Sequence, residues 1–367
     1  MVGAHTSYAR EAVRGIVEYS QKHCEWDIQY VGVGGDPGVR KAVLEAIRRR
    51  EVDGLICQFH SLEFANSVIA TGIPAIDITG WYQTSLPLVR PDYRAVGKLA
   101  ARHLIETGFN RFAFLEYSGD VLVTVSDLSL GFAEELQKES QTCHSFRETQ
   151  EIETWLRAIA RPVGILAAGD ARSRELVWLC RKLGLRVPQD VAIIGHGNDE
   201  FDCSLCNPPL SSVVVPARRV GQRAAAMLDT MLRNKRVPKK SVLLPPLGVA
   251  IRQSTDVLAV ADPHVSKGVQ YIQEHASDGI TVTDVARHVS ISRRVLEQKF
   301  VANLRRTPAA EIRRAQMERA KMLLAETDFK VATVGAKVGI RHYRTFRRLF
   351  QQHIGVSPND YRFQVRH

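Results

Sequence analysis

The chain is poor in cysteine, with six in 367 residues. That is too few for a disulfide-stapled scaffold and fits a reducing compartment. No run approaches the roughly 20 apolar residues that a membrane-spanning helix needs, so no membrane partner is expected. The opening Met1-Val2-Gly3-Ala4-His5 supplies neither the basic stretch nor the apolar stretch of a secretory leader, and a cytoplasmic protein is expected. Catalytic signatures are missing too. G-x-x-x-x-G-K-[ST], H-E-x-x-H and G-x-S-x-G do not occur, which argues against an enzyme. The glycines of Gly32-Val33-Gly34-Gly35-Asp36-Pro37-Gly38 miss the dinucleotide spacing and read as a turn. Cys203-Ser204-Leu205-Cys206 has no second ligand pair for zinc, and His60, His103 and His144 have no Cys or Asp at ligand spacing. Neither a metal nor a cofactor is expected.

What is present is positive charge, and it is unevenly spread. Net charge is +11, yet residues 263–367 alone hold 19 Lys+Arg against 9 Asp+Glu. A near-neutral part followed by a basic one is an electrostatic footprint for nucleic acid, because neutralised phosphates release counterions.

The first 260 residues alternate apolar runs with amphipathic stretches. Strands are expected at Asp27–Val31, Val52–Ile56, Ile73–Ile78, Arg111–Leu115, Gly164–Ala168 and Val191–Gly195. Helices are expected at Val39–Arg50, Leu62–Thr71, Val96–Thr107, Leu130–Ser140 and Ala171–Leu183. Such alternation implies an α/β fold with a parallel sheet covered on both faces. Ligands bind there at loops leaving the carboxyl ends of strands. Arg10 in a loop near the N-terminus, Asp170 after one strand and His196 to Asp199 after another are the pocket candidates, with Arg10, Asp170, Asn198 and Asp199 the expected effector-binding residues.

From Pro263 the pattern becomes wholly helical. Val285, Ala286, Val289, Ile291, Leu296 and Phe300 can pin two crossed helices, leaving Ser292, Arg293, Arg294, Glu297 and Gln298 outward. The pattern recurs with Val331, Val334, Val338, Phe346 and Phe350 inside and Arg341, His342, Arg344, Thr345 and Arg348 outside. These outward residues are the expected DNA-binding set. Arg294 and Arg344 lead for guanine edges, where Arg bonds bidentately. Arg341, Arg347, Arg348 and Lys299 are expected at phosphates. The stretch Ala309–Thr327 between the two units is expected to be one long helix.

Several of these segments carry a resemblance. Val52–Ile56, Val96-Gly97-Lys98-Leu99-Ala100 with His103-Leu104 and Gly108, Val187–Gly195 and Pro208–Val213 resemble the LacI/GalR-type sugar sensors. The resemblance implies a two-lobed periplasmic-binding-protein-like fold. That family usually opens with an apolar strand ahead of the loop corresponding to Ala4–Arg10, and this chain is expected to start after it. Asp284-Val285-Ala286, Leu296–Phe300, Thr307-Pro308, Ala320–Leu324, Phe346–Phe350 and Gly355–Arg362 resemble the AraC/XylS-type DNA-binding domain. Ser290 stands where that domain has its turn glycine. A sensor fused ahead of such a domain is the layout of the xylose-operon regulators.

The expected organisation is a sensor at 1–255, a linker at 256–263 and an all-α DNA-binding domain at 264–365. Its two helix–turn–helix units fall at about 281–302 and 329–352. The sensor's lobes are expected at 1–110 with 211–238, and at 111–210 with 239–252. The resemblance implies a homodimeric, sequence-specific transcription regulator, an activator of xylose-like sugar catabolism that binds a double-stranded operator and is gated by a small-molecule effector, a sugar. It also shows departures. Leu128 stands where an Arg often grips sugar hydroxyls, Gly197 where an Asp is usual, and Gly169 where Asn or Thr is. These leave open a regulator whose sensor serves only in dimerisation. A sugar-modifying enzyme with a DNA-binding appendage is the remote third reading.

Overall fold

The computed structural model describes residues 6–31, 36–116, 122–146, 152–234, 241–256, 262–304 and 306–366. The segments Gly32–Gly35 of the expected glycine turn, Ala4 and His5, and most of the expected linker fall outside them. In chain order the elements are α1 (Ser7–His23), α2 (Pro37–Arg48), β1 (Leu55–Cys57), α3 (Leu62–Thr71), β2 (Ala75–Asp77), β3 (Val89–Pro91), α4 (Tyr93–Glu106), β4 (Phe112–Leu115), α5 (Val123–Lys138) and β5 (Cys143–Phe146). They continue with α6 (Ile152–Ala158), β6 (Val163–Ala167), α7 (Asp170–Lys182), β7 (Val191–His196), α8 (Glu200–Leu205), β8 (Ser211–Val214), α9 (Ala217–Asn234), β9 (Val242–Leu244) and β10 (Gly248–Ala250). Helices alone follow: α10 (Pro263–His275), α11 (Val282–His288), α12 (Arg293–Leu304), α13 (Pro308–Glu326), α14 (Val331–Lys337), α15 (Tyr343–Ile354) and α16 (Pro358–Arg366).

Short polar side chains start many of these helices. Thr6, Ser61 and Asp92 accept from the first-turn N–H groups of Ala9, Phe64 and Ala95, satisfying donors that a helix leaves orphaned. Thr281 and Asp284 form a reciprocal capping box on α11.

The α/β part has two lobes. In the first, β1 pairs with β2 and β3 with β9, all parallel, beneath α1 and α9. In the second, the six-stranded order is β10-β8-β7-β6-β4-β5, parallel except for the antiparallel edge strand β10. Helix α4 lies in the second lobe: Val96, Ala100 and Leu104 share a core with Phe112, Phe132 and Ile194. The chain therefore crosses between lobes near residues 92, 216 and 246. The expected divisions at 110, 210 and 238 are displaced because α4 and β8 pack in the second lobe and β9 pairs in the first. Asp27–Val31, expected as a strand, forms none.

In each lobe one helix pair crosses at backbone contact. A Cβ on Gly97 would lie 2.1 Å from the Leu128 carbonyl oxygen, and one on Gly131 2.0 Å from that of Arg94. Gly15 and Gly221 hold α1 against α9 in the same reciprocal way.

The helical part holds two cores joined by one helix. Val265, Val269, Val285, Leu296 and Phe300 form the first, and Val331, Val334, Val338, Phe346 and Phe350 the second. Helix α13 gives Ile312 to the first and Met317, Ala320 and Leu324 to the second. Its 19 residues span about 28 Å at 1.5 Å per residue. The turn before α12 has Ser290 at φ 58°, and the turn before α15 has Gly339 at φ 80°. Among the described residues no helix is long and apolar enough to cross a membrane.

Candidate effector cavity and nucleic-acid interface

A cavity of about 910 Å³ lies between the lobes. Its walls lie at strand carboxyl ends: Gln58 and His60 after β1, Thr79, Trp81 and Tyr82 after β2, Ala168 to Asp170 after β6, and His196 at the end of β7 with Gly197 and Asp199 after it. The start of α1 adds Thr6, Ser7 and Tyr8, and α5 adds Thr124, Val125 and Leu128. Two of the four expected effector residues, Asp170 and Asp199, line the cavity.

Asp170 is buried at the first turn of α7. Its Oδ1 accepts from Ser212 Oγ at 2.6 Å and its Oδ2 from the Asp199 N–H at 2.8 Å. Burial pushes its pKa up to about 7, against the pull of these bonds and of Arg252. Gly195 makes room, since a Cβ there would sit 2.3 Å from Asp170 Oδ1. Asp199 reaches across the cleft, where its Oδ2 accepts from the Ser7 N–H at 2.8 Å. Burial opposes its ionisation, yet the N–H groups of Ser7, Asp202 and Phe201 hold its pKa below the ordinary carboxylate value.

Asn198 and Arg10 are placed differently. Asn198 lies behind the wall at φ 54°, with its N–H on Ser212 Oγ and its Oδ1 accepting from Arg252 Nη2 at 2.9 Å. Arg10 sits on an exposed face of α1 rather than in a loop, because Thr6 caps a helix there; Ser7 and Tyr8 reach the cavity instead.

Aromatic walls were not foreseen. Trp81 stands edge-on to His60 at 4.6 Å, and Tyr93 to His196 at 5.5 Å. Desolvation lowers the His196 pKa to about 4, so its imidazole is neutral at pH 7. Among the described lining residues the one guanidinium, Arg172, bonds Glu175, and the Asp202 carboxylate takes Arg174 at 2.9 Å. Two more contacts tie the lobes together. Buried Arg90 of β3 reaches Asp127 of α5 at 2.5 Å, and the Val123 N–H donates to the Trp81 carbonyl at 3.0 Å. Cys203 and Cys206 are buried thiols whose pKa values burial raises.

In the helical part, α12 exposes Arg293, Arg294 and Gln298 behind Ser292 while burying Leu296 and Phe300; Glu297 is half-buried. Arg293 bonds Glu297 one turn on, at 2.9 Å. Arg341, His342, Arg344, Arg347 and Arg348 are exposed at and along α15, Thr345 is half-buried, and Phe346 and Phe350 are inside. Lys299, expected at phosphate, instead bonds the Asp262 carboxylate that caps α10.

Comparison with known proteins bears on both parts. Residues 86–255 match the periplasmic binding protein-like domain, and residues 285–364 a helix-turn-helix domain. Over 99% of its length the chain is 29% identical to the xylose operon regulatory protein of Escherichia coli strain K12, 95% of which is covered. It resembles the structure of the xylose-binding transcription activator xylR with a TM-score of 0.61 and 27% identity, over 99% of this chain and 96% of that one. Its α/β part has the fold of a periplasmic binding protein/LacI transcriptional regulator from Alkaliphilus metalliredigens QYMF complexed with D-xylulofuranose (TM-score 0.57, 17% identity, 69% of this chain and 96% of that one).

The expected AraC/XylS-type assignment is corrected by these matches. They support a periplasmic-binding-protein-like sensor followed by a helix-turn-helix domain, the layout of a chain similar to the xylose operon regulatory protein. The residues behind the AraC/XylS reading, such as Leu296, Phe300, Phe346 and Phe350, are core positions of crossed helices. They report that helical arrangement and not a regulator family.

Proposed function

We propose that this chain, a DNA-binding transcription regulator homologous to the xylose operon regulatory protein and not an enzyme, acts in the cytoplasm as a homodimeric activator gated by an uncharged sugar. One observation carries the reading. The cleft is lined by aromatic faces and four carboxylates, of which Glu175 and Asp202 pair with Arg172 and Arg174 while Asp170 and Asp199 bond N–H and hydroxyl groups. Asp199, held ionised, accepts from hydroxyl groups and repels anions, buried Asp170 bonds a hydroxyl in either protonation state, and aromatic faces cover the apolar C–H face of a pyranose. A xylose-like sugar suits such walls, and a sugar acid or sugar phosphate does not.

On the DNA side, we divide the chain at the segment 256–263 and read α11–α12 and α14–α15 as two helix–turn–helix units. Arg294 and Arg344 would face guanine edges, and Arg341, Arg347 and Arg348 phosphates. Helix α13 suits a pair of recognition helices entering neighbouring major-groove turns about 34 Å apart.

A thermal-shift panel of D-xylose, other pentoses, hexoses, xylonate and xylose 5-phosphate tests the reading. A ligand at 100 times its dissociation constant stabilises by about 2.7 kcal/mol. The neutral pentose should raise the melting temperature and the two anions should not. Buried Leu128, apolar where a hydroxyl-gripping Arg is usual in such sensors, favours one rival. Silence across the panel with DNA binding intact would establish that rival, a sensor retained only for dimerisation.

A further inference from the structure

A polar chain leads from the cavity to the seat of the DNA-binding domain. It starts at Asp170, whose Oδ1 takes Ser212 Oγ; the same Oγ accepts from the Asn198 N–H at 3.0 Å. Asn198 Oδ1 holds Arg252 Nη2, and the Arg252 N–H donates to Ser211 Oγ at 2.8 Å. Ser211 Oγ meets Thr255 Oγ1 at 2.8 Å, and Thr255 Oγ1 meets His103 Nε2 at 2.8 Å. Asp170, Ser211, Ser212, Thr255 and His103 are all buried.

The positive charges of helix α13 and of the segment just before it act on His103. Burial, with the guanidinium groups of Arg314 and Arg306 added, lowers the His103 pKa to about 3. Both arginines bond Glu311, a fully buried carboxylate in the first turn of α13. The same strand also reaches α13 by apolar contact. Val214, two residues beyond Ser212, packs with Leu247 and Ala325, with Met322 and Tyr361 against them. Edge strand β10 lies so close that a Cβ on Gly248 would be 3.0 Å from Glu318 Oε2.

We infer that these bonds, which end at buried His103, together with the packing of Val214 and β10 on helix α13 couple the cavity to that helix, with Asn198, Arg252 and Thr255 as positioning residues that fix how the DNA-binding domain seats on the sensor. Buried polar groups have few alternative partners, so a change of partner at one end is costly to absorb locally. A hydroxyl donated to Asp170 would compete with Ser212 and the Asp199 N–H. Ser212 is tied through Asn198 to Arg252, and Arg252 through Ser211 to the buried Thr255–His103 pair. Coupling of this kind is reciprocal, so DNA bound to α12 and α15 would change ligand affinity by the same factor. The inference rests on the effector reading for its physiological sense, but the bonds exist without ligand and are tested without it.

Hydrogen–deuterium exchange on the full-length, ligand-free protein provides the test. Asn198→Ala and Thr255→Val should each speed exchange of α13 peptides spanning 311–325 by about tenfold, against unchanged exchange at 331–354. Ser129→Ala, which removes only an intrahelical bond to the Ser126 carbonyl in α5, should leave 311–325 as in the wild type. Two results would overturn the inference: wild-type exchange at 311–325 in both variants, or equal acceleration by Ser129→Ala. If Thr255→Val lowers the melting temperature grossly, Asn198→Ala, whose side chain lies at the start of the route, decides alone. D-Xylose forms a second arm, expected to slow exchange at 311–325 in the wild type and not in Thr255→Val. If D-xylose shifts neither melting nor exchange, the sugar reading fails while the ligand-free arm still decides the coupling.

Discussion

Ser7 and Asp199, 192 residues apart in sequence, meet across the cleft, the backbone N–H of one donating to the carboxylate of the other at 2.8 Å. The bond joins the first turn of α1 in one lobe to the segment after β7 in the other. It leaves Asp199 capping α8 through the Phe201 N–H as well. One carboxylate therefore starts a helix, lines the cavity and holds the lobes together. Asp199→Ala should remove all three roles. A loss of roughly 1–3 kcal/mol in stability is expected from the cap and the unsatisfied donors, with sugar binding abolished. Urea unfolding and calorimetric titration read the two effects separately.

The other carboxylate gives stability a pH signature. Asp170 has a folded-state pKa raised to about 7, against about 3.9 for an unfolded Asp. Its contribution is intact below the unfolded value and is lost as pH rises through about 4 to 7, because the folded state then holds the extra proton. Asp170→Asn removes this slope. The stability difference, variant minus wild type, should grow across that window by at most roughly 4 kcal/mol. His196, with its pKa lowered, tilts both proteins in the opposite direction and cancels in the difference. A difference that stays flat from pH 4 to 8 would contradict the buried placement of Asp170.

Ser290 and Gly339 occupy matching turns with positive φ. A side chain in this conformation costs about 1 kcal/mol, which glycine avoids. Ser290→Gly should raise stability by up to about 1 kcal/mol without changing DNA affinity. Thermal unfolding at two DNA concentrations separates folding from binding.

Gly97→Ala presses a methyl group onto the Leu128 carbonyl, and backbone cannot swing aside as a side chain can. A loss of about 1–3 kcal/mol is expected, visible as a lowered melting temperature. An unchanged value would mean that α4 and α5 are not in backbone contact.

On DNA selected from random sequence, Arg294→Ala and Arg347→Ala should differ in kind. The first should cost about 1–3 kcal/mol and relax preference at one base pair. The second should weaken all sequences alike and reduce the salt slope by about 0.9 per lost phosphate contact. Competition binding at two salt concentrations distinguishes them, and a uniform loss for Arg294→Ala would place it at the backbone.

Much of this architecture is legible in the residues. Leu62–Thr71 forms the helix its apolar spacing predicts, and Asp170 and Asp199 line the cleft because each follows a strand of a parallel sheet. Strands β3, β5, β8, β9 and β10 carry no such signal. Val89-Arg90-Pro91 is three residues long, all buried, and shows no alternation to read. Asp27–Val31 has the composition of a strand, but composition alone does not supply a pairing partner. Trp81, Tyr82 and His60 sit on connections, where no period marks a side chain as facing a cavity. The Lys299–Asp262 bond is not legible because the two residues lie 37 positions apart and are brought together by the fold.

The three crossings between lobes have a mechanical consequence. Tyr93 and Val215, which line the cavity, stand immediately beside the crossings near 92 and 216. Each lobe has a helix pair in backbone contact at its glycines, so a change of lobe angle would fall on these crossings and on the few bonds across the cleft. A ligand in the cleft therefore presses beside the fulcrum and not at the end of the lever. Displacements of a fraction of an ångström there become larger arcs at the remote edges of the lobes, and the geometry works as a step-up gear.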